Sequence, residues 1–156
     1  MYAFVMSSNF RTNFQPVQQS EILFHYSLTT HEGHWQKGDC ARFGWAFSNP
    51  FIAEDVRGKK DGPLARDAMN FCSIDKPNVL LTTLKQAENG DGIIARLIEV
   101  QGKATTAVVT LPHITVAEAM ITNLVEENKG RAVFAEHEIH AELEAFGITT
   151  IRINMD

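Results

Sequence analysis

The fold class is decided by one stretch, Val79-Leu80-Leu81-Thr82-Thr83-Leu84-Lys85-Gln86-Ala87-Glu88-Asn89-Gly90-Asp91-Gly92. Its first half is rich in branched apolar residues and threonine, which favour β-strands. Its last four residues are a strong turn signal, because asparagine, aspartate and glycine tolerate the positive φ angles that hairpins require. A second β-rich run follows from Gly92 to Val100. The sequence therefore predicts an antiparallel hairpin at this place.

Strand patterns continue on both sides of this hairpin. Residues 22–28 alternate Ile, Phe, Tyr and Leu with other residues, as a strand with one buried face does. Thr105 to Leu111 is β-rich, and Gln101-Gly102-Lys103 is predicted to be a second short hairpin connection. Near the C-terminus, one inward strand face would consist of Val133, Ala135, His137, Ile139, Ala141 and Leu143. A last strand would point three side chains inward, those of Thr149, Ile151 and Ile153. Short strands separated by turns predict an all-β, antiparallel β-sandwich.

Three segments depart from this plain strand pattern. Asp39 could cap one short helix that ends before Asn49-Pro50, since proline disfavours helix in the residue before it. The apolar face of that helix would carry Cys40, Phe43 and Phe47. Residues 54–77 mix charges with glycine and proline and predict a long, charged, exposed loop. Residues 114–124 fit both helical and strand spacing, and periodicity alone does not decide between them.

The composition excludes several classes of protein. A chain of 156 residues and 17.4 kDa with 44% hydrophobic residues suits one globular domain, which we predict to span residues 1–156. A net charge of −5 argues against a nucleic-acid partner, and no apolar run approaches the ~20 residues of a membrane span. The cysteines, Cys40 and Cys72, are too few for a disulfide scaffold and suit a reducing, cytoplasmic compartment.

Two histidine pairs invite a metal interpretation. His31 and His34 are three residues apart beside a glycine, where a regular helix is not expected. His137 and His140 resemble a zincin motif only superficially, because that motif needs histidines four residues apart on a helix. On a strand, side chains three residues apart point to opposite faces. We expect solvated or hydrogen-bonded histidines at both places, and no metal ligand in this chain.

An acidic stripe accompanies the second histidine pair. It consists of Glu136, Glu138, Glu142 and Glu144, with His140 beside them. Two carboxylates held ~5–10 Å apart in a cleft can hydrolyse a glycoside, but on one strand face the simpler interpretation is a solvated surface. An aromatic cluster allows two interpretations as well, a sugar-stacking surface or, more often, core packing. Its members are Trp35, Phe43, Trp45, Phe47 and Phe51.

The quoted stretch and four others together resemble one family. The run from Val79 to Gly92 is similar to a strand, Leu-Lys-x-Ala-Glu and Gly-Asp-Gly hairpin of the C-terminal β-domain of glycoside hydrolase family 38 α-mannosidases, bacterial type. Met6 to Phe14 resembles that family's Met-Asn-Asn-x-Trp-x-Thr-Asn-Phe segment. In the same order follow His31-Glu32-Gly33-His34-Trp35, then Asn123 to Glu127, and finally Phe146 to Ile153.

The resemblance implies a fold and a division of labour. It implies a sandwich of the galactose-mutarotase-like supersandwich type, and it assigns residues 114–124 to a strand. It implies a parent enzyme that hydrolyses α-mannosides with retention, with zinc and the catalytic carboxylates in an α/β-barrel domain absent from this chain. We therefore expect no catalytic residue and no cofactor here, and a partner in that catalytic domain. Asn9, Arg11 and Asn13 are the candidates for reaching the carbohydrate, since amide and guanidinium groups suit sugar hydroxyls.

Other functions remain open from the sequence. The chain could be a free-standing carbohydrate-binding module that uses Trp35 and Trp45 as a stacking surface, or a protein-interaction β-sandwich. The abrupt start at Met1-Tyr2, directly in strand-like sequence, favours a C-terminal piece of a larger glycosidase over either alternative.

Overall fold

The described part of the chain folds into two antiparallel β-sheets and one short helix. The computed structural model describes residues 20–55 and 68–156. The elements in chain order are α1 (Cys40–Ser48), β1 (Ser73–Ile74), β2 (Val79–Gln86), β3 (Ile93–Glu99), β4 (Thr105–Thr110), β5 (Val116–Thr122), β6 (Asn128–Arg131), β7 (Val133–Ala135), β8 (Glu138–Leu143) and β9 (Ile148–Met155). One sheet has the order β1-β4-β8-β7 and the other β2-β3-β9-β5-β6. The prediction of an all-β sandwich with one short helix is confirmed.

The core lies between the two sheets. Alternate residues of each strand point inward, because successive side chains of a strand face opposite sides. The four-stranded sheet contributes Ala107, Val109, Ile139, Ala141 and Leu143. The five-stranded sheet contributes Val79, Ala95, Leu97, Ala119, Ile151 and Ile153. The inward positions predicted for β8 and β9 are thus confirmed, except that Thr149 is half-buried.

The first predicted hairpin is confirmed and the second is wrong. β2 and β3 pair around the Asn89–Gly92 turn with Gln86 opposite Ile93. The segment Gln101-Gly102-Lys103 follows β3 and leads to β4, but these strands lie in different sheets. β3 pairs instead with β2 and β9, and β4 pairs with β1 and β8. A short connection with a glycine is compatible with both arrangements, and the pairing of the other strands decides between them.

The predicted strand over residues 133–143 is broken in two. β7 and β8 pair with each other, Val133 opposite His140 and Ala135 opposite Glu138. The turn between them is held because the His137 carbonyl accepts the N–H of Leu111, which follows β4, and the Glu136 carbonyl accepts the N–H of Val116, the first residue of β5. Val133 and Ala135 are exposed, so their predicted inward orientation is wrong.

The predicted strand over residues 22–28 is absent. Residues 21–31 have no regular secondary structure and every one of them is exposed. A strand requires a neighbour to pair its backbone N–H and C=O groups, and no strand of the described ranges lies beside this segment. Within the part of the chain that the structure describes, the alternating apolar side chains of residues 22–28 are therefore not buried.

The helix and the strand at the ambiguous segment form as predicted, but the predicted Asp39 cap does not. α1 ends where Asn49 precedes Pro50, and the N–H of Asn49 donates to Trp45 O at 3.0 Å. Asp39 precedes the helix, but its side chain makes no capping hydrogen bond. Residues 116–122 form β5, as the resemblance implied. Of the predicted charged loop, residues 56–67 lie outside the described ranges.

Candidate functional site

The Asn89–Gly92 turn forms one end of the five-stranded sheet. Gly90 and Gly92 have φ angles of 78° and 85°, in the region that favours glycine. At Gly92 a Cβ atom would stand 2.6 Å from Ile153 O of β9, so the turn packs directly on the neighbouring backbone. This close approach places the turn within reach of the side chains of β9.

Arg152 of β9 joins this turn to the loop Asn123–Glu127, which connects β5 and β6. Its side chain is 5% exposed in this position. Nη1 donates to Asn89 Oδ1 at 2.8 Å and to Asp91 O at 2.6 Å, and Nη2 donates to Glu126 O at 2.8 Å. One planar guanidinium thus fixes two loops that are distant in sequence.

Glu126 is the second connecting residue of this polar end. Its backbone has a φ of 66°, which is uncommon for a residue with a side chain. One carboxylate oxygen lies 2.7 Å from Lys85 Nζ, and the other accepts the N–H of Glu88 at 2.7 Å. The Lys85 ammonium and the Glu88 N–H lower the pKa of Glu126, while Glu126 and Glu88 raise the pKa of Lys85. The positive φ is thus held by contacts from the hairpin.

A buried carboxylate organises the opposite end of β3. Glu99 is 1% exposed, and both of its oxygens are saturated with donors. The donors are Asn78 Nδ2 at 2.9 Å and the backbone N–H groups of Gln101 at 2.8 Å, Gly102 at 2.7 Å, Lys103 at 3.1 Å and Phe146 at 2.9 Å. Burial alone would raise the pKa of Glu99, but these hydrogen bonds outweigh it and lower the pKa to about 2.

Two aromatic rings lie beside the Glu99 cluster. The rings of Trp35 and Phe146 are stacked, with centroids 6.4 Å apart and planes at 19°. Gln101 Nε2 donates to Gln36 O at 2.8 Å and ties the Trp35 segment to the β3–β4 connection. The two side chains remain 47% and 59% exposed. The pair is therefore held in place without being buried.

A cleft of about 470 Å³ adjoins the same connection. It is lined by Ala104, Thr105, Thr106, Glu142, Leu143, Glu144, Gly147, Ile148 and Thr149. Its ionisable lining groups are the carboxylates of Glu142 and Glu144, so the cleft is polar and acidic.

Comparison with known proteins identifies this arrangement. Residues 78–151 match the model of the glycosyl hydrolases family 38 C-terminal beta sandwich domain. These residues are a family 38 C-terminal β-sandwich domain. The chain is also 25% identical over 134 residues to alpha-mannosidase G of Dictyostelium discoideum. That match covers 83% of this chain and 12% of the relative, so the chain spans about an eighth of the relative's length.

The matched residues 78–151 contain the Glu99 cluster and every part of the first polar end except Arg152, which follows the last matched residue. Three of the segments on which the resemblance rested meet at the first one: the Lys85–Gly92 run, the loop Asn123–Glu127 and the strand that carries Arg152. Each of these segments supplies hydrogen bonds to the other two.

The candidate carbohydrate residues Asn9, Arg11 and Asn13 lie outside the described residues. The histidine pairs lie inside them and stay separate from any group of metal ligands: across residues 20–55 and 68–156 no three His, Cys, Asp or Glu side chains gather as a metal site. His137 Nδ1 instead lies 2.8 Å from Ile114 O.

The acidic stripe is a solvated surface of the family 38 sandwich. Glu136, Glu138, Glu142 and Glu144 are all exposed, and so is His140. The aromatic cluster is not core packing, since α1 contains no buried residue. Trp35 stacks on Phe146, a residue that the sequence interpretation did not include.

Sequence reasoning missed Glu99, Glu126 and Arg152 as organising residues. Glu99 stands at the end of a strand and Glu126 in a loop, positions at which a charged residue is ordinarily solvated. The available signal was weak. Arg152 stands between Ile151 and Ile153 in a strand, so its side chain lies on the opposite face of the sheet from theirs, and a charged side chain that is buried there requires partners. Among the described residues no helix is long and apolar enough to cross a membrane.

Proposed function

We propose that this chain is the non-catalytic C-terminal β-sandwich domain of an α-mannosidase-like glycoside hydrolase. In this role it packs against the catalytic domain of the same cytoplasmic enzyme and helps to shape its carbohydrate site. The family match and the small share of the mannosidase relative that the chain covers support the proposal.

The exposed apolar side chains of residues 20–55 carry the packing part of the proposal. Apart from Trp35, which stacks on Phe146, they are Ile22, Leu23, Phe24, Tyr26, Leu28, Phe43, Trp45, Phe47, Phe51 and Ile52. The sandwich has its own closed core, so it does not use these side chains for stability. Burying one such side chain is worth ~1.5–3 kcal/mol, and a patch of this size marks an interaction surface. The alternating pattern of residues 22–28 suits pairing with a strand of the catalytic part.

The chemistry is assigned to the partner in this proposal. Zinc, the nucleophile and the acid/base carboxylate belong to the catalytic domain, and retaining hydrolysis of an α-mannoside takes place there. Asn9, Arg11 and Asn13 of this chain would contact sugar hydroxyls at the domain boundary. The 156-residue chain alone is expected to be inactive, and hydrolysis of an aryl α-mannoside by the purified chain would overturn this assignment.

The first experiment asks whether the native polypeptide is larger. An antibody against the chain should detect, in the source cells, a protein well above 17.4 kDa that hydrolyses an aryl α-mannoside. Detection of a 17.4 kDa product alone would contradict the proposal.

The second experiment tests the packing surface. With this chain and the rest of the parent polypeptide expressed as two pieces, Leu23→Asp or Phe43→Asp should weaken their association at least about tenfold, the equivalent of 1.4 kcal/mol. Val133→Asp is the matched control, because Val133 is also an exposed apolar residue but lies on an edge strand of the sandwich. Equal effects of all three substitutions would place the interface elsewhere. Asn9→Ala with Asn13→Ala should lower kcat/KM for the α-mannoside, and unchanged kinetics would remove both residues from the site.

A further inference from the structure

We propose that the stacked rings of Trp35 and Phe146, with the acidic cleft beside them, form a surface subsite for a neutral pyranose unit of a glycan. The subsite is separate from the carbohydrate site of the catalytic domain. Only the choice of a glycan as ligand rests on the proposed function; the geometry stands on its own.

Phe146 adopts a strained backbone conformation that the fold actively maintains. Its φ is 56°, and a bulky residue in the left-handed region is a genuine outlier that costs on the order of 1 kcal/mol or more. Its N–H donates to the buried Glu99 carboxylate at 2.9 Å, which holds the backbone in place. Strain of this kind persists where the surroundings over-determine it, and it is concentrated at functional sites.

The ring of Phe146 has a specific seat. A Cβ atom at Gly102 would come within 2.6 Å of the Phe146 ring, so this position accepts the ring only because it is glycine. The same Glu99 carboxylate accepts the N–H of Gly102 at 2.7 Å. One buried anion therefore positions both the ring and the backbone beneath it.

Trp35 completes a rigid and exposed aromatic surface. It stacks on Phe146 at 6.4 Å, and the neighbouring Gln36 carbonyl accepts the amide of Gln101 at 2.8 Å. A side chain that served only to fill the core would be buried, yet both rings stay about half exposed. Fixed aromatic rings reduce the entropy cost of binding, because they do not have to be ordered by the ligand.

The surrounding groups select the class of ligand. The electron-rich face of an aromatic ring attracts the C–H groups of a pyranose face, and hydroxyls require donors and acceptors nearby. Glu144 and Gly147 of the cleft flank Phe146 in the chain, and the cleft adds hydroxyls and carboxylates from Thr105, Thr106 and Glu142. No lysine or arginine lines this cleft, so phosphorylated or carboxylated ligands lack a counter-charge. A neutral sugar fits these groups.

The test is a titration of the 156-residue chain with mannotriose, followed by amide and indole NMR signals. Binding should shift two sets of NMR signals together, the Trp35 indole signal and the amide signals of residues 101–103 and 144–147. Both sets should saturate with a Kd on the order of 1 mM. Trp35→Ala should weaken binding at least about tenfold, whereas Trp45→Ala, the matched control on α1, should leave the Kd unchanged. Absence of saturable shifts, or equal losses from both tryptophan substitutions, would overturn the subsite.

Phe146→Gly separates a binding role from a structural one. Glycine adopts a φ of 56° without strain, so this variant should unfold at the same or a higher denaturant concentration while it loses mannotriose binding. A variant that loses stability and keeps its affinity would show that the ring serves packing alone.

The outcomes also separate this proposal from the proposed function. Inorganic phosphate should cause no saturable shift, and a phosphate response would redirect the subsite to anions. If the chain does not bind mannotriose but the two enzyme pieces still associate, the subsite is refuted and the packing role stands. Binding without association would refute the packing role and leave the subsite.

Discussion

At the scale of single residues, Glu99 shows how one buried charge organises irregular backbone. Its carboxylate satisfies three N–H groups of the β3–β4 connection and one N–H group at Phe146. These N–H groups have no partner in the hydrogen-bond ladder of a sheet. Each of them, if buried and left unpaired, would lower the free energy of unfolding by on the order of 1–3 kcal/mol. The residue therefore acts as a backbone acceptor, and its charge strengthens each hydrogen bond.

Glu99→Gln should lower the free energy of unfolding by about 3 kcal/mol at pH 7, because one oxygen becomes an NH₂ group that faces N–H donors. The pKa of about 2 in the folded protein lies below 4.5, the ordinary pKa of a glutamate side chain. The stabilising contribution is therefore complete above pH 4.5 and is lost as the pH falls through about 2. The difference between the two proteins should shrink over that window in urea unfolding curves measured from pH 7 to pH 2.

Glu138→Gln is the matched control for this prediction, since Glu138 is an exposed glutamate on β8. It should change stability by less than about 0.5 kcal/mol. If both substitutions gave the same pH dependence, the assignment of the low pKa to Glu99 would be wrong.

Residue-scale features differ in how well the sequence reveals them. The Asn89–Gly92 turn was predictable, because its residue types are those that positive φ angles require. Glu99, Glu126 and Arg152 were not, because their partners are backbone groups and side chains brought close only by sheet pairing. Phe146 carried no signal either, since a left-handed φ at an aromatic residue contradicts its own local preference.

At the scale of elements, Arg152 links a hairpin to a loop through three hydrogen bonds. Strand existence was largely predictable, since β2, β3, β4, β8 and β9 each contain an apolar run or alternation. The strand at residues 22–28 was not formed, because local alternation cannot supply the neighbouring strand that pairing requires. The break between β7 and β8 was missed for a related reason: the N–H groups of Leu111 and Val116, which fix the turn, are distant from it in sequence.

Arg152→Met should loosen the Asn89–Gly92 turn and the loop Asn123–Glu127 together. Removing a buried guanidinium with three acceptors should cost about 2–4 kcal/mol of stability and speed hydrogen exchange in both segments. Arg96→Met is the control, because Arg96 reaches Leu124 O and Thr150 Oγ1 but no atom of the turn. Exchange that accelerates in only one of the two segments of Arg152→Met would contradict the link.

At the scale of the whole molecule, the chain repeatedly passes from one sheet to the other. The two strands of a consecutive pair lie in opposite sheets at several places: β3 and β4, β4 and β5, β6 and β7, and β8 and β9. The two-sheet class was predictable from many short strands, but the order β2-β3-β9-β5-β6 was not, because periodicity carries no information on which strands pair. The exposed apolar surface of residues 20–55 was unexpected, since core packing was the more common of the two interpretations of its aromatic cluster.

Because of these connections, the two sheets should unfold in one transition. In a urea titration, NMR signals of Val109 and Ile139 from one sheet should disappear at the same midpoint as those of Ile94 and Ile151 from the other. Separate midpoints would show that one sheet survives without its partner.

The direct passage from β6 to β7 has a consequence for protein engineering. Only Ala132 separates these strands; it is buried, and its N–H donates to Ala119 O at 2.9 Å. New chain ends placed there would put two charges into the seam between the sheets, whereas ends at the exposed Gly90 would leave every strand whole. Circular permutation and insertion of a reporter domain are therefore best directed to Gly90, and a nick at Ala132 is the cut that this fold tolerates least.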